Sequence, residues 1–298
     1  MRIKHILAHQ AGFAAYPHQA LKATILGEDA RLNKKLFAAN PSMTYSNQLG
    51  EHLYAANWLK EFVWDLCMHS ALRQKKFGRS YDYQYSCMGF YLMHKLIEKL
   101  VEQPMEVFLE DYFYKPLGLH YITYRPLEKF ALDHIAPTEA CDFFRNTIIQ
   151  GIVHDPKAAI YGGVAGNAGL FSNAHDLAIV LQMNLQDGYY GGQRYLAKGV
   201  VGQFTAQQFK NNRRGLGWDK PAAKLQLSPT SAYASLATYG HLGFTGTAIW
   251  VDPQYALIYV FLANRTYPDQ SNSQFVRQGI RRQVQDVIYQ SLEELATQ

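Results

Sequence analysis

Two short stretches combine residue types that can do acid–base or acyl-transfer chemistry. In Tyr85-Ser86-Cys87-Met88-Gly89-Phe90 a polar triplet opens an amphipathic run, with Met88, Tyr91, Leu92, Leu96, Ile97 and Leu100 at helical intervals. A phenol titrates near about 10 in water and becomes a general base only where neighbouring cations stabilise the phenolate. The second stretch, Gly240-His241-Leu242-Gly243-Phe244-Thr245-Gly246-Thr247, stands directly before two β-rich runs. Glycines on a strand let a ligand or another backbone approach closely, and a donor beside them can bind a carboxylate or steady an oxyanion. Taken alone, each stretch is more economically read as structure, since tyrosines at helix starts and glycine-rich strand entries are common.

Other reactive side chains point to less. His134, His154 and Asp155 lack the H-x-x-x-H or H-E-x-x-H spacing of a metal site, so structural hydrogen bonding is the simpler reading and no metal or cofactor is expected. The Gly162–Gly169 loop lacks the G-x-G-x-x-G order of a dinucleotide site. Cys67, Cys87 and Cys141 are odd in number and without C-x-x-C spacing, which argues for buried free thiols rather than a disulfide framework or zinc. The net charge of +5 arises from 29 basic and 24 acidic residues scattered along 298 positions, so no nucleic-acid partner is implied. With 48% apolar and 18% charged residues the composition is that of a soluble globular protein. No apolar run approaches the roughly 20 residues of a membrane span, and Met1-Arg2-Ile3-Lys4-His5 opens no signal-peptide core.

The elements that must position the two stretches are legible in outline. Ile3, Ile6 and Leu7 have helical spacing, and from about residue 50 to 115 the pattern is helical through Leu53, Trp58, Phe62, Leu66 and the run after Tyr85, until Pro116 stops it. Residues 119 to 160 are punctuated by Pro126, Pro137 and Pro156 and read as irregular. Ser172 is the expected cap of a helix carrying Leu177, Val180, Leu181 and Leu185, ended by Gly188. Thr247–Asp252 and Tyr255–Leu262, divided by Pro253-Gln254, predict an antiparallel hairpin in a buried sheet, and Val276 to Leu292 a terminal helix. Helices followed by a sheet and a closing helix give an α+β architecture.

In this order, and 156 positions apart (241 minus 85), the two stretches resemble the motifs of the serine β-lactamase, penicillin-binding protein and esterase superfamily. That family has S-x-x-K on a buried helix, Y-x-N or Y-S-x at a helix start, and a K-T-G or H-T-G strand. Tyr85-Ser86-Cys87 resembles the second motif and His241-Leu242-Gly243 the third. Ile3 to Phe13, Pro116-Leu117-Gly118-Leu119, Gly163 to Ser172 with Asp176-Leu177, and Gly240 to Asn264 extend the likeness over nearly the whole chain. In detail it looks closest to exported serine hydrolases fused behind family-3 glycosidases.

The resemblance implies a β-lactamase/transpeptidase-like fold, read as one domain over 1–298, with a mostly helical lobe over about 13–135 and a sheet-containing lobe over about 136–298. It implies acyl-enzyme hydrolysis of an ester, amide or lactam, on a small-molecule or cell-wall-derived substrate. Tyr85 would be the base. His241, standing where many relatives have lysine, would orient that phenol, and the backbone N–H of Phe244, expected on the strand, would serve the oxyanion hole. Ser86, Cys87, Leu242, Gly243 and Thr245 would line the substrate. His9 would be structural. A fused N-terminal glycosidase domain and a periplasmic or cell-envelope location are further implications of the likeness.

Departures from the family pattern are as informative. No serine in the sequence begins S-x-x-K, and Ser70-Ala71-Leu72-Arg73 ends in an arginine that cannot share protons with a nucleophile. The family serine precedes the segment resembled by Ile3 to Phe13, so the expectation is an N-terminally incomplete domain lacking its first strands and nucleophile helix, and of low stability. The alternative is a degenerate, non-catalytic module binding a cell-wall or glycan ligand. Cys87 stands in place of asparagine or aspartate and Leu242 in place of threonine, and both changes argue against efficient lactam hydrolysis.

Overall fold

The computed structural model describes residues 2–14, 18–27, 29, 31–75, 81–224 and 227–296. The chain divides into two compact units: Met1–Tyr112 with Thr123–Phe171 and Thr266–Asp269, and Phe113–Ile122 with Ser172–Arg265 and Gln270–Gln298.

The first unit contains α1 (Ile3–Leu7), α2 (His18–Leu26), β1 (Phe37–Ala38), β2 (Asn47–Gly50), β3 (Leu53–Ala55), α3 (Leu59–Met68), α4 (Met88–Val101), α5 (Met105–Leu109) and α6 (Pro156–Ile160). Its core forms where Leu59, Val63 and Cys67 make one stripe of α3 at four-residue spacing and meet Met88 and Tyr91 of α4 and the Ala158–Tyr161 turn. Burial of each large apolar side chain there contributes about 1.5–3 kcal/mol. Asp155 caps α6 by accepting from the backbone N–H groups of Lys157 and Ala158 at 2.9 Å each, with Pro156 in the first turn. A Cβ at Gly166 would collide with the Phe90 carbonyl oxygen, so the Gly162–Gly169 loop packs against the first turn of α4 as closely as only glycine permits. A fully buried Arg145 braces the loop beneath, donating to Asp142 Oδ2 at 2.7 Å and to the carbonyls of Val153 and His154 at 2.9 and 2.5 Å.

Helix does not begin at residue 50 as its periodicity predicts. Leu53 lies on β3, the centre of a small antiparallel sheet ordered β1-β3-β2. Strands of two to four residues are too short to show an alternation, and Leu53, Trp58 and Phe62 mimic helical spacing across their ends.

The second unit contains α7 (Ala174–Leu185), β4 (Tyr189–Tyr190), β5 (Gln193–Arg194), α8 (Val200–Thr205), β6 (Tyr239–Leu242), β7 (Ala248–Asp252), β8 (Leu257–Phe261), α9 (Gln274–Arg277) and α10 (Ile280–Ala296). β6, β7 and β8 pair antiparallel in sequence order, with His241 opposite Ile249 and Val251 opposite Ile258. Alternate residues serve opposite layers. Tyr239, Val251, Ile249, Ile258 and Val260 pack with Leu181 and Val201, whereas Ala248, Trp250, Tyr259 and Phe261 pack with Ile288 of α10. A sheet apolar on both faces accounts for the near-continuous hydrophobic run of the predicted hairpin. Buried Asp252 ties the sheet to α10, accepting from the Tyr289 hydroxyl at 2.7 Å and from Ser235 N and Oγ at 2.8 and 2.6 Å. Burial would raise its pKa, but these donors hold it below the ordinary carboxylate value.

Three smaller expectations are corrected. Asn173, not Ser172, caps α7, its Oδ1 accepting from Asp176 N at 2.9 Å while the Ser172 hydroxyl donates to the Asn173 carbonyl. The terminal helical run is broken at Gly279, whose φ is +65°. Cys141 is exposed, not buried, while Cys67 is buried and Cys87 half-buried.

Candidate active site

The first unit presents Tyr85 at the head of α4. Tyr85 is 44% exposed, whereas Ser86 and Met88 just after it are buried, so the phenol stands out from a fixed support. The support is built around His9, which adopts a left-handed φ of 55° and lies tilted against the Tyr85 ring with centroids 4.3 Å apart. His9 Nδ1 accepts from the backbone N–H of Ser86 at 3.2 Å and the His9 carbonyl accepts from Gln84 N at 2.9 Å. An Nδ1 that accepts from an amide carries no proton, so His9 is an Nε2–H tautomer with a structural duty. The Ser86 hydroxyl accepts from Met88 N at 3.3 Å and supplies the start of α4 with a partner for one of its unbonded N–H groups.

Cys87 sits where α4 begins, and its thiol is pushed up chiefly by burial, against the opposing influence of Lys157 and a side-chain hydrogen bond with Asn167. Burial likewise pushes Cys67 up to about 12, so neither thiol is poised as a nucleophile. Lys157 is buried and paired with Asp155 Oδ2 at 3.2 Å. Ser70, the one serine three residues ahead of a lysine or arginine, follows the end of α3, and its hydroxyl is turned back onto the Leu66 carbonyl.

The second unit carries the other stretch. Gly240 lies on β6, where a Cβ would collide with the Ile249 carbonyl oxygen, so close strand pairing alone requires that glycine. β6 ends at Leu242. Gly243–Thr247 form the turn into β7, closed by Gly243 N donating to Thr247 O at 2.8 Å. Phe244 is therefore in a turn and not on the strand, 61% exposed, with the Arg265 guanidinium 4.5 Å over its ring and donating to its carbonyl at 2.7 Å. Leu242, Gly243 and Thr245 are half-buried around it, and the Thr245 carbonyl accepts from Arg265 N at 2.8 Å.

His241 has protein partners on both ring nitrogens. Nδ1 is 2.8 Å from the Leu242 carbonyl and Nε2 is 3.1 Å from Arg214 Nη1. Arg214 is buried, 6% exposed, and donates through Nη2 to Asp219 Oδ2 at 3.1 Å; Arg213 grips the same carboxylate from both oxygens at 2.6 and 2.8 Å. Asp219 is set beside β6 by a two-way backbone bridge with Gly240, at 2.8 and 3.0 Å. Burial would raise the Asp219 pKa, and the two guanidinium groups hold it below the usual range. His241 is pushed below the ordinary histidine value by burial first and by Arg214 second.

A profile of the family described as Beta-lactamase matches residues 1–278. The chain belongs to that family. Proteins of Salmonella gallinarum and Salmonella typhi, provisionally named D-alanyl-D-alanine carboxypeptidases, are each 31% identical over 288 residues, covering 91% of this chain. The chain spans 59% of the length of those relatives. Among solved structures, the unliganded simvastatin synthase of Aspergillus terreus aligns with a TM-score of 0.61 at 14% identity, over 96% of this chain and 67% of that one. A β-lactamase of Mycobacterium bovis gives 0.52 at 18% identity, over 97% and 74%, and the octameric penicillin-binding protein homologue of Pyrococcus abyssi gives 0.54 at 17%, over 93% and 54%. At such identities the likeness is one of fold: the α+β architecture of the β-lactamase and penicillin-binding-protein serine hydrolases.

Within this β-lactamase-family chain, the first unit brings Tyr85 and Ser86 onto His9 and sets Cys87 beside Asn167, and the second brings His241 onto Arg214, with Arg213 and Asp219 behind it, and Phe244 and Thr245 onto Arg265. Arg213, Arg214 and Asp219 carried one available signal, an adjacent arginine pair with an aspartate six and five positions on, but nothing local tied it to His241. Among the described residues no group of three His, Cys, Asp or Glu side chains is placed to hold a metal, and no helix is long and apolar enough to cross a membrane.

Proposed function

We propose that this chain is the larger part of a single β-lactamase-like acyl-transfer domain, hydrolysing an ester, amide or lactam through an acyl-enzyme, with the nucleophilic serine supplied by residues outside these 298. The observation that carries the reading is the exposed Tyr85 phenol just ahead of the buried start of α4, in a family whose second motif begins with tyrosine. Tyr85 serves as the base, the backbone of the Gly243–Thr247 turn as the oxyanion donor and substrate contact, and His241 as a polar group beside that turn. Ser86 stands as a support of α4 as well as a candidate contact, since its hydroxyl already serves Met88 N. The names of the curated relatives make an acyl-D-alanyl-D-alanine peptide the first substrate to try.

A second reading is a binding module that has lost its chemistry, favoured by the absence of S-x-x-K and by the Ser70 hydroxyl being tied to the Leu66 carbonyl. The experiment is covalent labelling. A protein in which an S-x-x-K segment, native or taken from a relative, precedes this chain is treated with a fluorophosphonate or fluorescent penicillin. Label on that serine, slowed about 10²–10⁴-fold by Tyr85→Phe, supports the hydrolase. A folded protein that takes no label while still binding peptidoglycan fragments supports the module. The 298 residues alone take no label under either reading.

A further inference from the structure

The charge at the end of β6 does not sit where the motif puts it. The Leu242 carbonyl can only accept, so His241 Nδ1 must donate to it across 2.8 Å. Arg214 is protonated at every accessible pH and can only donate, so His241 Nε2 must offer it a lone pair across 3.1 Å. The two contacts permit one state of the ring. An added proton at Nε2 would set two donors face to face and place a second cation against the guanidinium.

We propose that Arg214, braced by Asp219, is a positioning residue that holds His241 as the neutral Nδ1–H tautomer and itself carries the positive charge at this end of β6. Among the described residues Arg213, Arg214 and Asp219 are the charged groups acting on the ring, and their sum is one net positive charge that does not come from protonating His241. Asp219 is 4% exposed and held to Gly240 by backbone bonds on both sides, which fixes the direction from which Arg214 approaches. Substrate polarity in this region is then set by the guanidinium acting through the imidazole, and a His241→Lys exchange is not a return to the family's usual arrangement. It would place an ammonium against the Arg214 guanidinium. The word positioning rests on the function proposed above, but the tautomer does not, and the two fail separately.

Nitrogen NMR of the chain labelled with ¹⁵N-histidine reads the tautomer directly, with His241→Asn identifying its signals. The expected spectrum has a protonated Nδ1 and an unprotonated Nε2, and it persists as pH is lowered through about 6.5, where an ordinary histidine takes up its proton. In Arg214→Met the His241 titration moves up towards that ordinary value and the Nε2–H form gains population; Asp219→Asn, which removes the negative charge that raises the ring's titration, moves it further down. The parent spectrum decides first and needs no variant: Nε2–H or imidazolium at neutral pH overturns the proposal. So does an Arg214→Met chain with its β6–β7 amide signals intact and its His241 tautomer unchanged. Serine labelling in the extended protein reports on the hydrolase reading alone, whichever tautomer is found.

Discussion

The start of α4 and the end of β6 each hold out a polar side chain, and they do so by different physics. Tyr85 rests on neutral contacts: ring against ring with His9, an amide into the His9 imidazole, and a serine hydroxyl at the helix start. Such bonds contribute about 0.5–1.5 kcal/mol apiece and can be lost singly. His241 rests on a chain of charges, Arg213 and Asp219 and Arg214, in which each member keeps the next from being a buried unpaired ion. These contacts form a neutral cradle under a ring left nearly half exposed. A charged clamp suits a group that must stay in one state.

The contrast predicts its largest effect at Asp219. Replacing it by alanine strands Arg214, almost wholly buried, with its carboxylate gone. Removing one partner of a buried pair costs about 3–5 kcal/mol; Arg213, a third exposed, contributes little of that because water screens it. The expected outcome is a large drop in the urea midpoint, with amide exchange accelerating in β6 and β7. A loss under about 1 kcal/mol would show that the clamp is ornamental and that β6 stands on apolar packing alone.

Acid separates the two regions next. His241 is depressed in the folded state, so as pH falls below about 6.5 the unfolded chain binds a proton that the folded one refuses, and stability declines with it. Asp219 and Asp252 are also depressed; their contribution is complete above about 3.8 and is lost as pH falls through their lower folded values. All three groups lie in the second unit. In the first unit the matching contributions come from His94 and His5, which burial holds below the ordinary value, and from Glu98, where burial would raise the pKa but His94 and Lys95 hold it down. Hydrogen exchange followed from pH 7 to about 2 should therefore show β6–β7 loosening first below about 6.5 and again below about 3.8, where its two aspartates titrate against the single depressed carboxylate of α4, Glu98. Arg214→Met should flatten the step near 6.5, whereas His9→Asn should not.

Much of this arrangement could be read before any coordinates, and what escaped did so for definite reasons. The run from Met88 to Val101 and the hairpin from Ala248 to Phe261 are long or apolar enough for periodicity to show, and the two motifs attached to them were found together with them. Asn173 was missed because Ser172 is an equally good cap by type, and only geometry assigns the bond. Phe244 was placed on a strand because the glycines on either side give no local sign that β6 stops at Leu242. The arginine clamp was invisible because it depends on Asp219 pairing with Gly240, 21 positions later (240 minus 219), through a single isolated bridge. No periodic pattern encodes a bridge of one residue pair.

On the neutral side the effects shrink. Ser86→Ala removes the acceptor that Met88 N uses and leaves a small buried gap, with an expected cost near 1 kcal/mol in urea titrations and faster exchange confined to the first turn of α4. An effect as large as that of Asp219→Ala would mean that the helix start is as interdependent as the clamp, and the distinction between the two regions would fail.

Tyr85→Phe is the smallest change and the most discriminating. It deletes one oxygen from a ring that is nearly half exposed and keeps the contact with His9, so stability should move by no more than about 0.5 kcal/mol. A structural tyrosine and a catalytic one therefore give the same melting curve. They part only in the serine-bearing protein, where a base loses its acylation rate and a strut does not. If Tyr85→Phe instead destabilises the chain by several times that margin, the phenol oxygen is a buried structural partner after all, and the neutral cradle holds a fixture, not a proton carrier.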